Sequence, residues 1–290
     1  MAFEEDPDRT VELLWRESRD AAPRQGLSVG AIVRAAVEIA DADGVEGLSM
    51  RRVGERLGFT SMSLYRHIPG KAQLIDLMCD MVMGDVATDG ANGGAADTPG
   101  GWRAALEAWA REGWALCRRH PWLAEVRGTR HVPGPNSIAH FEYALSTVAG
   151  IGLKPAEMVA VVGLVGRFVD SEAARAAEVA RVERRTGVSE EEWWGARESL
   201  YEKLHLYPTL THVWEAGGYD EPEDSFGFGL RRVLDGIEAL IREREEKRDE
   251  NASCAICGTS MDRAEAGRPR AYCSRACQQR AYRRRRRSTP

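Results

Sequence analysis

Four cysteines near the end of the chain carry the most specific chemistry in the sequence. Cys254 and Cys257 bracket a two-residue turn followed by Gly258, and Cys273 and Cys277 stand four apart, a C-x2-C-x15-C-x3-C pattern. The first pair forms a knuckle that brings two thiolates onto one ion. The second pair shares one face of a helix, and a place in its first turns favours thiolate. Knuckle and helix start together supply four thiolates in tetrahedral array, a preferred set for structural Zn²⁺. The module has few core candidates (Ile256, Met261, Tyr272), so metal binding and folding are expected to be coupled. It is similar to small treble-clef or ribbon-like zinc fingers. Two disulfides or a redox switch are the other readings of the same four residues.

A block of arginine follows. Residues 251–290 hold ten arginines against Asp262 and Glu265, a net of +8. The whole chain is −5, so residues 1–250 carry −13. A basic tail on an acidic body points to a polyanionic partner for the tail. Only Lys71, Lys154, Lys203 and Lys247 are lysines. Arginine over lysine is therefore a habit of the whole chain, and its clustering is what informs. The sequence has no apolar run long enough to cross a bilayer. Its start, "MAFEEDPDRT", is acidic and lacks the apolar stretch of a secretory signal. The expectation is a cytoplasmic protein without membrane partners, where disulfides rarely persist. The isolated Cys79 and Cys117 read as small buried apolar residues.

The elements that must position this chemistry read as helical throughout. Residues 1–26 are mixed and are expected as a flexible arm, although "TVELLWRES" is compatible with a short amphipathic helix. Ser28 is a natural N-cap, with Ile32, Val33, Ala36, Ile39 and Ala40 at helical spacing, and Gly44 is a stop. Ser49 caps a short helix ending at Leu57–Gly58, Thr60 caps another ending near His67, and a fourth carries Leu74, Leu77, Met78 and Met81. The Gly-rich stretch over 88–101 reads as a linker. Longer helices are expected near 102–119, 137–150, 155–184, 189–205 and 224–247, with Pro155 in a first turn and a capping box of Ser189 and Glu192. No strand pattern is found. The fold class is all-α. A helix-turn-helix unit (27–87) and a helical domain (102–247) precede the cysteine module (251–290).

Two very short helices joined at Gly58, with Val53, Leu57 and Leu64 closing a small core, are helix-turn-helix architecture. Residues 27–80 resemble the DNA-binding domain of the TetR family of transcriptional regulators. Gly44, Leu48, Ser49, Arg51, Val53, Leu57, Gly58, Leu64, Tyr65, His67, Lys71 and Leu74 stand at the family's pattern positions. Gly54 replaces the usual alanine. That is expected to cost about 1 kcal/mol of helix propensity and to be sterically harmless. The resemblance implies a homodimer on a palindromic, double-stranded DNA operator. By matched position, Arg51, Ser61, Met62 and Ser63 read bases, while Tyr65, His67 and Lys71 meet phosphates. Ser49, Thr60 and Arg66 complete the expected DNA-facing set.

The segment from Trp102 to Ile241 resembles the C-terminal domain of the tetracycline-repressor branch. Seven of the eight tryptophans lie between residues 102 and 214, which suits an apolar or aromatic ligand. Ordinary core packing accounts for any one ring equally well. Trp109, His120, Phe141, Tyr143, Phe168, His205 and His212 are the candidates to line one cavity. Helices over 155–177 and 226–241 carry broad apolar faces suited to a dimerising four-helix bundle. No phosphate loop, nucleophile elbow or other catalytic motif occurs, so an enzyme is not expected. What these readings and the resemblance imply together is a repressor released by a small-molecule inducer, with structural Zn²⁺ in the tail. The alternative is a metal- or redox-responsive regulator that senses through the cysteine cluster.

Overall fold

A computed structural model describes residues 7–15, 27–85, 101–127, 131–220, 224–250, 254, 256–259 and 272–287. Of the linker expected over 88–101 only Gly101 is described, as the first residue of a helix, and most of the N-terminal arm lies outside the described residues. Among the described residues the structure is helical, with no strand.

Helix α1 (Pro7–Leu14) falls inside the segment expected to be flexible. It packs on α5 (Lys71–Met83), burying Thr10 and Leu14, and the Trp15 indole N–H donates to the Pro133 carbonyl at 3.2 Å. The arm is thus anchored at this point. Helix α2 (Val29–Asp43) begins at Ser28, whose hydroxyl accepts from the Ala31 amide at 3.2 Å. It ends at Gly44, where φ is +72°. Helices α3 (Met50–Leu57) and α4 (Ser61–Tyr65) follow. Helices α2 to α5 close around Ile32, Val53, Leu64, Ile68, Leu74 and Met78, all fully buried.

The second domain comprises α6 (Gly101–Arg119), α7 (Trp122–Arg127), α8 (Pro135–Thr147), α9 (Pro155–Thr186) and α13 (Ser225–Glu250). Its core gathers Leu106, Trp109, Ala144, Val165, Phe226, Leu230 and Leu234. Helix α6 serves both cores: Trp109 lies in the second, while Leu116 and Cys117 lie in the first.

The helix expected over 189–205 is broken. α10 (Glu190–Gly195), α11 (Glu198–Tyr201), a 3₁₀ turn at Leu204–Leu206 and α12 (Pro208–Glu215) replace it. The Ser189–Glu192 capping box forms as expected. None of residues 190–215 is buried, and short helices persist chiefly through tertiary packing. Gly195 weakens the helix locally, and Pro208 keeps Tyr207 out of the helical region (ψ 86°).

Candidate functional site

The helix-turn-helix is built by local capping. The Ser49 hydroxyl accepts from the Arg52 amide at 3.3 Å, and the Thr60 hydroxyl accepts from the Ser63 amide at 3.4 Å. Both residues are therefore caps. The Thr60 and Ser63 hydroxyls also pair at 3.0 Å. Between the helices Gly58 takes a left-handed conformation (φ 75°), and the Phe59 amide donates to the Gly54 carbonyl at 2.9 Å.

Gly54 is not merely harmless. A β-carbon there would sit 2.7 Å from the Phe59 carbonyl oxygen, so glycine is what lets the turn close this tightly. We expect Gly54→Ala to destabilise the protein by about 1–3 kcal/mol through overpacking, despite a helix-propensity gain of about 1 kcal/mol. A higher urea midpoint for the variant would contradict this.

Around this turn lies an exposed surface. Met62 is 71% exposed and Tyr65 45%; Arg51 and Arg66 are exposed, while Ser61, Ser63 and His67 are half-buried. Arg51 pairs with Glu55 at 3.5 Å on the open surface, a weak and exchangeable contact. The Lys71 ammonium donates to the Val45 carbonyl at 2.9 Å, which fixes its position beside the α2–α3 turn. Arg52 and Arg56 pair with Asp43 and Glu38 and tie α3 to α2. Met50, in the first turn of α3, is buried and belongs to the core. Sequence reading missed Phe59, which is 44% exposed at the turn itself. Its place directly after Gly58 was the available signal.

Three carboxylates join this domain to the helical one. Asp41 accepts from the Trp122 indole N–H at 2.7 Å and pairs with His120 Nδ1 at 2.8 Å. His120, expected in the ligand site, therefore holds the domain junction. Asp76 pairs with His131 Nδ1 at 3.1 Å and raises the pKa of that ring. Asp80 accepts from the Ser137 amide at 2.8 Å and from the Asn136 side chain at 3.2 Å, anchoring the start of α8. Arg127 reaches Asp170 at 2.9 Å and Met83 Sδ at 3.1 Å, adding an α7–α9 link.

The other expected ligand residues separate. Trp109 and Phe168 converge on the second core. Phe168 stacks on Phe226 at 5.8 Å, and Phe226 on Trp114 at 4.6 Å. Tyr143 packs at the edge of that core, while Phe141 is 41% exposed. His205 and His212 lie in the exposed α10–α12 stretch, outside that core.

The residue that completes the group is His140, absent from the sequence-derived set. It is buried, with its ring 5.3 Å from that of Trp109. The Trp109 indole N–H donates to His140 Nδ1 at 3.2 Å, which leaves the proton on Nε2. Burial, helped by Arg127, pushes the His140 pKa down to about 4, so the ring is neutral at physiological pH. Its Nε2 has no hydrogen-bond partner among the described residues. An unsatisfied buried donor costs about 1–3 kcal/mol, which an arriving acceptor would recover.

The thiol cluster assembles from local turns. Sγ of Cys257 lies 3.5 Å from that of Cys273 and 3.7 Å from that of Cys277, and Cys273 and Cys277 are 3.6 Å apart. All four sulfurs lie within 4.8 Å of one another. A disulfide requires about 2.05 Å. A zinc tetrathiolate with bonds of about 2.3 Å has sulfur–sulfur edges of about 3.8 Å, close to the observed spacings. The Cys273, Ile256 and Cys257 amides point at Cys254 and bring its pKa down to about 6. The neighbouring thiols, Cys257 foremost, push Cys273 up to about 12. Hydrogen bonds from Thr259 lower the Cys257 thiol as well, so thiolate is favoured at Cys254 and Cys257 and opposed at Cys273 until a cation neutralises the cluster. The donor set fits Zn²⁺. Cys79 and Cys117, by contrast, have thiol pKa values raised by burial, as inert core residues should.

Residues 32–78 match the bacterial regulatory proteins of the tetR family, and residues 95–241 match the tetracyclin repressor-like C-terminal domain. The chain belongs to the TetR family and is a DNA-binding transcriptional regulator of that family. It is 42% identical over 241 residues to the HTH-type transcriptional repressor DrrR1 of Streptomyces coeruleorubidus, an alignment covering 81% of this chain and 87% of that one. It is 26% identical over 212 residues to the class A tetracycline repressor from transposon 1721 of Escherichia coli, with coverage of 73% and 90%. Among solved structures, apo ActR of Streptomyces coelicolor superimposes with a TM-score of 0.59 at 27% identity, covering 74% of this chain and 98% of ActR. ActR in complex with actinorhodin gives 0.61 at 25%, covering 74% and 97%. The matched domains end at residue 241, so the cysteine module lies outside them.

Proposed function

We propose that the protein is a homodimeric repressor that leaves its operator when an aromatic small molecule binds between α6, α8 and α9. The observation that carries this reading is His140, a buried neutral imidazole with an unused donor beside Trp109. A flat, apolar ligand with one carbonyl or phenolate acceptor suits that environment. ActR in complex with actinorhodin supports an aromatic ligand class. Release follows from differential affinity: the ligand favours a conformation whose recognition helices no longer match the operator. Asp41, Asp76 and Asp80 are the contacts through which strain at α6–α8 reaches α2 and α5.

Dimerisation is supported by α9 and α13. They form an open apolar groove of about 490 Å³ lined by Val161, Leu164, Val233, Gly236, Ile237 and Leu240. Leu164 is 45% exposed there, and a two-fold copy would cover it. In the tail, Cys254, Cys257, Cys273 and Cys277 are proposed to hold structural Zn²⁺.

The test combines gel retardation on DNA flanking the protein's own gene with a panel of polycyclic aromatic ligands. Wild-type protein should retard the fragment and be released by at least one compound. His140→Phe should retain retardation and lose release, with ligand affinity lower by about tenfold, the loss of roughly one hydrogen bond. Equal release of wild type and variant would remove His140 from the ligand site. Absence of any specific retardation would overturn the repressor reading.

A further inference from the structure

Helix α14 (Arg275–Arg287) grows out of the thiol cluster. Cys277 and Ala281 are buried on one face, while Arg275, Arg280, Arg283 and Tyr282 are exposed. Arginine also occupies its last four positions, 284–287, whose side chains lie outside the described set. The module carries +8 from its side chains. A tetrathiolate zinc centre (+2 − 4) contributes −2, leaving +6 on the loaded module. Among the described residues of α14, the only large apolar side chain exposed is that of Tyr282. The surface therefore has the charge of a polyanion site and lacks the apolar core of a protein interface.

The point at which this module is attached is decided by α13. Phe226, at the start of α13, stacks on Trp114, and Ser225 bonds to Glu172 at 3.0 Å. Both contacts lie beside the junction with the DNA-binding domain, where Trp114 and Ala173 join the first core. Further along, Asp235 pairs with Arg103 at 2.6 Å, and Arg244 pairs with Glu157 in the first turn of α9. α13 therefore runs antiparallel to α6 and α9, away from the helix-turn-helix. From Phe226 to Glu250 it rises about 36 Å. Only residues 251–253 lie between its end and Cys254, and four residue steps span at most about 14 Å. The module is therefore tethered at the pole of the molecule opposite α4, which packs on α3 at the other end. Covalent reach brings its arginines back no further than about the level of the junction, leaving the helix-turn-helix domain between them and its operator.

We propose that the C-terminal module is a second DNA-binding head that grips the phosphates of a separate duplex segment, so that one protein joins two stretches of DNA. A duplex is preferred over other polyanions because the helix-turn-helix already holds the protein on the chromosome, at high local phosphate concentration. The proposal rests on the repressor and zinc readings above.

The test uses the full chain bound to an immobilised duplex flanking its own gene. A labelled duplex of unrelated sequence, or a labelled single-stranded RNA, is then offered at increasing salt, and zinc content is measured in parallel. Wild-type protein should capture the second duplex. Arg280→Gln/Arg283→Gln should keep the first duplex and its zinc. The salt slope of second-duplex capture should become shallower by about 1.8, which is about 0.9 for each of two phosphates left without its arginine. Cys254→Ser/Cys257→Ser should lose zinc and capture together. Undiminished capture by the arginine variant overturns the proposal. So does capture of RNA with no capture of duplex. Capture that depends on arginine in protein lacking zinc leaves bridging standing and removes the metal. One zinc per chain without capture does the reverse. Failure to hold the immobilised duplex counts against the repressor reading alone.

Discussion

Removing the proposed zinc is expected to unfold the thiol cluster and α14 and to leave the helical body intact. The module buries few side chains: Cys254, Cys277 and Ala281 are its buried residues among those described. A structural zinc site contributes about 10–16 kcal/mol of apparent binding energy near neutral pH, more than the stability of many whole domains. The contrast with the body is large, because that body holds two cores of its own. After chelation, or in Cys273→Ser, the amides of α14 should exchange with solvent at the rate of unfolded chain. Those of α2, α6 and α9 should keep their protection. The crowding that pushes the Cys273 thiol up to about 12 sets the direction with pH. Protons compete for the ligands, so metal affinity should fall as pH falls. Protected α14 amides in metal-free protein would show that the thiols hold the module by other means.

The second large effect is expected at Asp80. Its carboxylate is buried, accepts from the Ser137 amide at 2.8 Å, and also receives the Asn136 side chain. Gly134 approaches so closely that a β-carbon there would lie 2.3 Å from the Asp80 carboxyl carbon. Asp80→Ala removes a charged acceptor and strands the donors that faced it, at a cost of about 3 kcal/mol. It also frees the start of α8, the helix that carries His140, from the domain that binds DNA. Two readouts follow. The urea midpoint should fall by the equivalent of that energy. Ligand should still bind, while its effect on operator affinity shrinks. Asp80→Asn keeps an acceptor for the Ser137 amide and should recover part of both. A variant with normal release would show that the coupling runs through Asp41 and Asp76 instead.

Features governed by a few neighbouring residues were legible in the chain. Ser28, Ser49, Thr60 and Ser189 cap helices where expected, because a capping hydroxyl needs only an amide three residues on. The helix-turn-helix was legible for the same reason, and so was the cysteine cluster, whose spacing already forms two halves of a tetrahedron. The segment 189–205 was misread as one helix because its pattern is helical but none of its residues is buried. Gly54 looked replaceable until the Phe59 carbonyl was placed against it.

The sequence by itself determined the all-α class, the helix-turn-helix, the family and the cluster of four thiols. Tertiary structure alone decided what the buried polar groups do. His120 and His140 look alike in sequence, yet one meets Asp41 across the domain junction while the other faces Trp109 with a donor to spare. It also decided where the C-terminal module is attached, because the antiparallel packing of α13 on α9 carries the chain away from the DNA-binding end. Both outcomes depend on partners many residues distant. Such pairings are selected by the packing of whole helices, which no local signal encodes.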